Sequence, residues 1–332
     1  MSNLLLPASV RRAYTRDGLM TFDAATIDSS GAFLVGQLER LDQTLHQPLA
    51  SVTWSRDIDL RSDVSIADEV SSFTNSAFAA AGGNSPNGKA WIGKDSNAIT
   101  GLALDIGKTA QPLTLWGMQI GWTIPELESA QKLGRPVDQQ KYAGMQLKYN
   151  MDVDEQVYIG DSGLGFTGLL NSAHVTNVAN APTGGWATAT ADQMLADVNE
   201  MLTSAWEESA YAVCPSKVLL PPVKFGILVT TKVSSAGNIS VLEYIKQNSI
   251  CNSINGRPLD IQPVKWAYQR GASSADRMMA YTQDEMRVRF PLVPLQRTPL
   301  EYRDIRQLTT YFGRLGVLEV VYPETIAYRD GI

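Results

Sequence analysis

Apolar residues in the N-terminal part of the chain follow two different spacings. Between Ser30 and Leu45, leucines recur every three or four positions, which predicts a short amphipathic helix that Pro48 ends. From residue 52 to residue 66 the period is two, which predicts an extended strand with one apolar and one polar face. The apolar face comprises Val52, Trp54, Ile58, Leu60, Val64 and Ile66, and the polar face comprises Thr53, Asp57, Asp59, Arg61 and Asp63.

Residues 67–111 predict a long protruding hairpin. A mixed run around Phe73 and Phe78 leads to the turn-rich sequence of residues 82–88, and Leu102, Leu104 and Ile106 then alternate with other residues. A two-stranded hairpin is only marginally stable alone in water. We therefore expect this one to lie on a neighbour.

Three capping-box sequences predict the starts of helices further along the chain. They lie at Thr123–Glu126, Thr190–Gln193 and Ser240–Glu243. A long helix is predicted from Val137 to about Ile159, preceded by a strand whose apolar face carries Trp116, Met118, Ile120 and Trp122. Short strands are predicted at 218–220, 259–266, 278–281, 286–290, 308–312 and 317–322. Helices and strands that interleave without a regular βαβ period indicate an α+β fold.

Composition narrows the class of protein. The 332 residues are 44% apolar and carry a net charge of −6, which excludes a disordered chain and argues against a broad nucleic-acid-binding face. The first 16 residues nevertheless contain Arg11, Arg12 and Arg16 and no carboxylate, so they predict either a basic strap toward nucleic acid or a partner, or a solvated tail. Neither a secretory signal nor a membrane span is evident, so we expect a cytosolic chain.

Candidate catalytic and ligand-binding motifs fail on their context. Residues 163–168 satisfy GxGxxG, but they follow a helix, and a dinucleotide-binding loop follows a strand. Asp152 and Asp154 resemble the start of a calcium loop that lacks its required glycine. The two His are isolated, Cys214 and Cys251 are predicted to be buried free thiols, and no GxSxG motif is present. The sequence thus predicts no enzyme, cofactor or metal.

Several segments resemble a group of tailed-bacteriophage major capsid proteins with the Hong Kong 97-type fold. The run from Tyr158 to Asp161, followed by Gly165 to Asn171, is similar to the helix-to-loop junction of that group. Segments in the same order as in the group follow at 196–199, 219–222, 277–281 and 322–332. The resemblance gives the glycine-rich segment the role of a structural turn, formed by Gly160, Asp161, Gly165, Gly168 and Asn171.

The resemblance also implies a division of the chain into the family's domains. The expected fold is an α+β Hong Kong 97-type capsid fold with an N-arm, an extended E-loop hairpin, a P-domain with a long spine helix, and an A-domain. The expected parts are the arm with its short helix and strand (1–66), the E-loop (67–111), the P-domain (112–178), the A-domain (179–284), the P-domain return strands (285–325) and a C-terminal tail to the A-domain (326–332).

By resemblance, the chain is a structural subunit and not an enzyme. Copies of it would form the hexamers and pentamers of an icosahedral phage head around double-stranded DNA, assembled in the bacterial cytoplasm without a membrane. Expected partners are further copies, portal and decoration proteins, a separate scaffold or none, and DNA bound non-specifically at the inner surface. The alternatives are an encapsulin-type nanocompartment shell protein of the same fold and an unrecognised α+β enzyme.

The expected contacts between subunits involve the arm, the strand and the hairpin. They comprise Arg11, Arg12, Arg16, Val52, Trp54, Asp57, Ile58, Asp59, Leu60, Arg61, Asp63, Lys89 and Lys94. The charged members are expected to meet opposite charges on another subunit or, for the arm, DNA. Exposed ion pairs contribute little, so the apolar face of the strand should dominate, and Trp54→Ala should impair assembly more than Asp59→Ala. In the E-loop, Lys89 and Lys94 could donate to the Lys–Asn crosslink that some family members form.

Overall fold

The computed structural model describes residues 50–81, 101–132, 137–234 and 238–332. The predicted helix at 30–45, the basic arm with Arg11, Arg12 and Arg16, the turn at 82–88, Lys89 and Lys94 lie outside the described residues.

Helices and strands interleave along the described residues, as an α+β fold requires. The α-helices are α1 (Trp54–Asp57), α2 (Ile124–Lys132), α3 (Val137–Tyr158), α4 (Ala191–Glu208), α5 (Pro222–Thr230), α6 (Val241–Asn248) and α7 (Ile250–Asn255). The strands are β1 (Asp59–Arg61), β2 (Val70–Ala81), β3 (Gly101–Pro112), β4 (Thr114–Thr123), β5 (Val178–Asn180), β6 (Lys217–Leu220), β7 (Asp260–Pro263), β8 (Arg277–Tyr281), β9 (Val288–Pro291), β10 (Gln296–Arg297), β11 (Glu301–Arg303), β12 (Arg306–Leu315), β13 (Glu319–Val320) and β14 (Ala327–Asp330).

A five-stranded sheet with the order β5-β14-β8-β6-β7 organises the region from residue 178 to residue 281. The strand β14, near the C-terminus, lies inside this sheet, parallel to β5 and antiparallel to β8. The helix α4 begins at the predicted capping box, in which Thr190 and Gln193 exchange hydrogen bonds. Its buried face, with Met194, Val198 and Leu202, belongs to the same apolar cluster as residues of β6, β7 and β8.

A long antiparallel pair of strands forms a second unit of the fold. Strand β4 pairs with β12 over ten residues, from Thr114–Leu315 to Thr123–Arg306. The predicted apolar face of β4 is confirmed. Ile120 and Trp122 are buried, whereas the residues that alternate with them along the strand are more exposed. Ile120 and Trp122 cluster with Met145 of α3.

The helix α3 is the longest in the described chain, at 22 residues or about 33 Å. Its buried residues Met145, Tyr149, Val153 and Val157 recur every four positions and define one face. Tyr149, Val153 and Val157 of this face belong to one apolar cluster with residues of β8 and β9. The predicted long helix from Val137 is thus confirmed, and it joins the two sheets. Among the residues that the structure describes, no helix combines the length and apolar character that a membrane span requires.

The predicted strand over residues 52–66 is wrong in its extent. Both backbone amides at the start of the segment, of Thr53 and Trp54, donate to Asp154 Oδ1 at 2.8 and 3.0 Å, and the short helix α1 follows. A distant carboxylate therefore induces a helical turn where the sequence pattern indicates a strand. Within this segment only residues 59–61 form a paired strand, β1, which runs parallel to β9. The turn moves Asp57 from the predicted polar face into the interior.

Candidate functional site

The hairpin of β2 and β3 presents one exposed apolar face. Cross-strand partners Phe78 and Leu104 lie on the same face as Leu102 and Ile106, because paired residues and every second residue point to one side. Their exposed fractions are 68% for Phe78, 71% for Leu102, 54% for Leu104 and 60% for Ile106. We call these four residues the apolar hairpin face. Beyond the buried Phe73 at its base, the opposite face carries small and polar side chains, among them Ala77 and Asp105.

The base of this hairpin is fixed by a buried carboxylate. Glu319 is 0% exposed, and its Oε1 accepts hydrogen bonds from Arg61 Nη1 at 3.0 Å and from the Ser71 hydroxyl. Its Oε2 accepts from Arg289 Nε at 2.7 Å. Arg61 also donates to the carbonyl of Ser72 at 3.0 Å. We call Arg61, Ser71, Arg289 and Glu319 the hairpin-base cluster.

A second buried carboxylate holds the segment before the hairpin. The carboxylate of Asp57 accepts hydrogen bonds from Arg56 Nε and Nη2, both at 2.7 Å, and from the Tyr158 hydroxyl. It also forms an ion pair with Lys217 Nζ at 3.0 Å. Burial alone would favour the protonated acid, but hydrogen bonds from Arg56, Tyr158 and Lys217 outweigh it and lower the pKa of Asp57 below 3.8. The charged form of Asp57 therefore ties this segment to α3 and to β6.

A third buried carboxylate, Asp154 of α3, joins the same segment to the region after β7. Besides the amides of Thr53 and Trp54, it accepts from Trp266 Nε1 at 2.6 Å and lies 3.2 Å from Lys265 Nζ. In the sequence, Asp154 stands out only as part of an incomplete calcium-loop pattern, and its buried structural role was not predicted. Its spacing of four residues from Tyr158, on one helix face, was the available signal.

The glycine-rich turn after α3 is held by its backbone conformation, by close backbone packing and by two hydrogen bonds from side chains. Gly160 and Gly165 have φ angles of +77° and +73°. A Cβ on Gly168 would lie 2.4 Å from the backbone of Tyr158, so a side chain has no room there. The side chain of Asp161 accepts from the amide of Gly163 at 2.8 Å, and that of Asn171 accepts from the amide of Gly168 at 2.7 Å.

The interface residues predicted from the strand pattern occupy different environments. Asp57 and Ile58 are buried inside the subunit, which corrects their expected place at a contact with another copy. Asp59 and Arg61 are half-buried and have partners in the same chain, namely Gln283 for Asp59 and Glu319 for Arg61. Asp63 is exposed, and its carboxylate pairs with Arg61, whose hydrogen bonds lower the pKa of Asp63.

The apolar members of that prediction are also distributed differently. Trp54 is half-buried and packs against the core of its own subunit, and Val52 is half-buried as well. Leu60, with 37% exposure, remains accessible to another molecule. The sequence missed the size of the hairpin's own apolar surface, although alternation at Leu102, Leu104 and Ile106 was visible.

The two cysteines of the chain lie in the apolar core. Cys214 and Cys251 are buried free thiols, as predicted. A hydrogen bond with Cys251, together with burial, raises the pKa of Cys214, which keeps this thiol protonated and unreactive. Within the described ranges, no three His, Cys, Asp or Glu side chains come together as a metal site requires.

Solved structures with a similar fold include the capsids of a phage and of a GTA particle. The chain is similar to the capsid of Myoviridae phage XM1, with a TM-score of 0.73 and 16% identity over 90% of this chain and 98% of that chain. It is also similar to the capsid of a native GTA particle, with a TM-score of 0.60 and 13% identity over 92% of this chain and 98% of that one. For Mycobacterium phage Ogopogo the TM-score is 0.55 at 11% identity, over 91% and 98%. The fold is the Hong Kong 97-type capsid fold predicted from the sequence.

The sequence itself then identifies the family. The profile of the Major capsid protein family matches residues 88–332. The chain therefore belongs to the Major capsid protein family and is a capsid component of the phage type. No curated protein matches the sequence.

Proposed function

We propose that copies of this chain assemble into the hexamers and pentamers of an icosahedral head that encloses double-stranded DNA, and that the chain has no catalytic role. The apolar hairpin face is the observation that carries this proposal. Family membership supplies the context, because a capsid subunit must bury part of its surface against further copies.

The hairpin is well suited to reach a neighbouring subunit. Each of its strands has twelve residues, which corresponds to about 40 Å of extended chain. All described side chains from Thr74 to Phe78 and from Gly101 to Lys108 are exposed. Contiguous exposed apolar patches mark interaction sites. In the proposal, the apolar hairpin face lies on a second copy of the chain, as the E-loop of the family does.

The other domain assignments follow from the same proposal. Residues 112–178 and 285–325 form the P-domain around α3, and residues 179–284 form the A-domain. Residues 326–332 return to the A-domain, which the pairing of β14 with β8 supports. Residues 1–66 belong to the arm, and its arginines meet carboxylates of another copy or the packaged DNA. Scaffold, portal and decoration proteins are further partners in the proposal.

The match to the Major capsid protein family favours a phage-type head over the encapsulin-type alternative, which would share the fold. An enzyme would need a cluster of reactive groups, and the buried carboxylates described above are all engaged with structural partners.

A shortened hairpin tests the proposal. Thr74 pairs with Lys108, so replacing residues 74–108 with Asn-Gly should close a short hairpin on the retained Phe73–Thr109 pair. The variant should fold with a thermal midpoint close to that of the full chain but form no closed shells in electron micrographs. Closed shells of normal diameter from this variant would overturn the proposal.

A further inference from the structure

We propose that Glu319 is a positioning residue, which through the hairpin-base cluster sets the direction in which the hairpin leaves the subunit. The inference rests on the proposed function, because that direction decides whether the apolar hairpin face meets a neighbouring copy. The cluster itself, however, is a property of the single subunit.

The geometry places Glu319 where three segments meet. It lies on β13, beside Arg289 of β9 in the strand pair, and Arg61 comes from β1. Ser71 is the second residue of β2, so the carboxylate contacts the hairpin where the hairpin begins. Both oxygens of Glu319 are engaged, Oε1 by Arg61 and Ser71 and Oε2 by Arg289.

A third arginine holds the end of the opposite strand, β3, at the base of the hairpin. Arg314 Nε donates to the carbonyl of Ile66 at 2.8 Å, and its Nη1 donates to the carbonyl of Leu113 at 3.2 Å. The amide of Leu113 in turn donates to the carbonyl of Glu69 at 2.9 Å. Both ends of the hairpin are therefore fixed to the body of the subunit.

Beyond its base, the described part of the hairpin has little that could fix its direction. Among the side chains of β2 that the structure describes, Phe73 is the last buried one, and those from Thr74 to Phe78 are exposed. A lever about 40 Å long amplifies any rotation at its base. A buried ion pair is a poor source of net stability, because removing two charges from water costs much of what their attraction returns. Its directional hydrogen bonds instead specify one orientation.

Hydrogen exchange and shell formation together test this inference. Glu319→Gln keeps the shape of the side chain and removes its charge. The matched control is Glu200→Gln, which removes a carboxylate that accepts two hydrogen bonds from Arg329, in the five-stranded-sheet region. Exchange is measured on unassembled subunits from size-exclusion chromatography, and shells are counted and sized in electron micrographs.

We expect amides of residues 70–73, 109–111 and 113 to exchange about tenfold faster in Glu319→Gln than in the wild type, equivalent to about 1.4 kcal/mol. Shells of this variant should be fewer and of uneven diameter, whereas Glu200→Gln should change neither measurement. If Glu319→Gln does not fold, Ser71→Ala is used, with the same direction of both effects expected.

Unchanged exchange at the hairpin base would overturn the inference, as would faster exchange with shells of normal number and diameter. Equal exchange effects at the hairpin base in Glu200→Gln would overturn it too, because the effect would then be general. Failure of the wild type to form shells would instead overturn the proposed function, while the exchange data would still decide whether Glu319 fixes the hairpin.

Discussion

Replacing Phe78 with serine should separate assembly from folding. Phe78 is 68% exposed, so its loss removes little from the core of the subunit. With a full side-chain area of about 200 Å², a neighbouring copy could bury about 140 Å² of it, worth about 3.5 kcal/mol per contact. A loss of that size corresponds to a roughly 300-fold weaker contact. Because every copy in a shell would carry the change, the loss should suppress closed particles at ordinary protein concentrations.

The assay for Phe78→Ser is analytical sedimentation combined with thermal unfolding. The variant should remain as small species with a thermal midpoint within about 2 °C of the wild type, since single exposed substitutions change stability by less than about 0.5 kcal/mol. Ala77→Ser introduces the same residue one position earlier, on the opposite face, and should assemble normally. Shell yields from Phe78→Ser equal to those of Ala77→Ser would refute the reasoning.

The turn after α3 and the buried carboxylate Asp57 give two predictions about stability. Gly168→Ala should destabilise the subunit by about 1–3 kcal/mol in denaturant unfolding, because its Cβ would collide with backbone, whereas Gly144→Ala, in an open helical position, should stabilise by up to about 1 kcal/mol. Equal midpoints for the two variants would contradict this account of the turn. Asp57→Asn should destabilise the protein near neutral pH. In denaturant unfolding measured from pH 7 to pH 3, the difference in free energy of unfolding between the variant and the wild type should become smaller as the pH falls. The folded pKa of Asp57 lies below 3.8, so its stabilising charge is present above that pH and is lost as the pH falls through the folded value. A gap that is constant over this range would argue against a charge effect.

Local patterns predicted the elements whose signals lie within a few residues. The capping boxes at Thr123 and Thr190 both form, and the helix from Val137 and the hairpin are where the pattern indicated. These signals depend on hydrogen bonds and periodicity along the chain itself. For such elements the sequence is sufficient.

Elements fixed by distant partners were not predictable in this way. Strand β14 contains Arg329 and Asp330, yet both are buried, because Glu200 and Arg277 pair with them across long separations in the chain. The helix α5 is an exception, because Pro222 in its first turn is a local start signal that was present in the sequence, although the segment was left unassigned.

The candidate site was only partly predictable for the same reason. The pattern correctly located the hairpin, whose apolar face is exposed in the single subunit. It could not show that Glu319 fixes the base of that hairpin, because Arg61 and Glu319 are separated by 258 positions. The alternating pattern also placed Asp57 on the surface. The residues that neutralise and bind its carboxylate, Lys217 and Tyr158, are distant in the sequence and cannot be inferred from the residues around Asp57.

The most direct test of the central claim is a high-resolution cryo-electron microscopy reconstruction of the particles that this chain forms when expressed. The account predicts closed shells of hexamers and pentamers in which Phe78, Leu102, Leu104 and Ile106 are covered by an adjacent subunit. Monomers or small open oligomers, or closed shells whose hairpin face points into solvent, would contradict it.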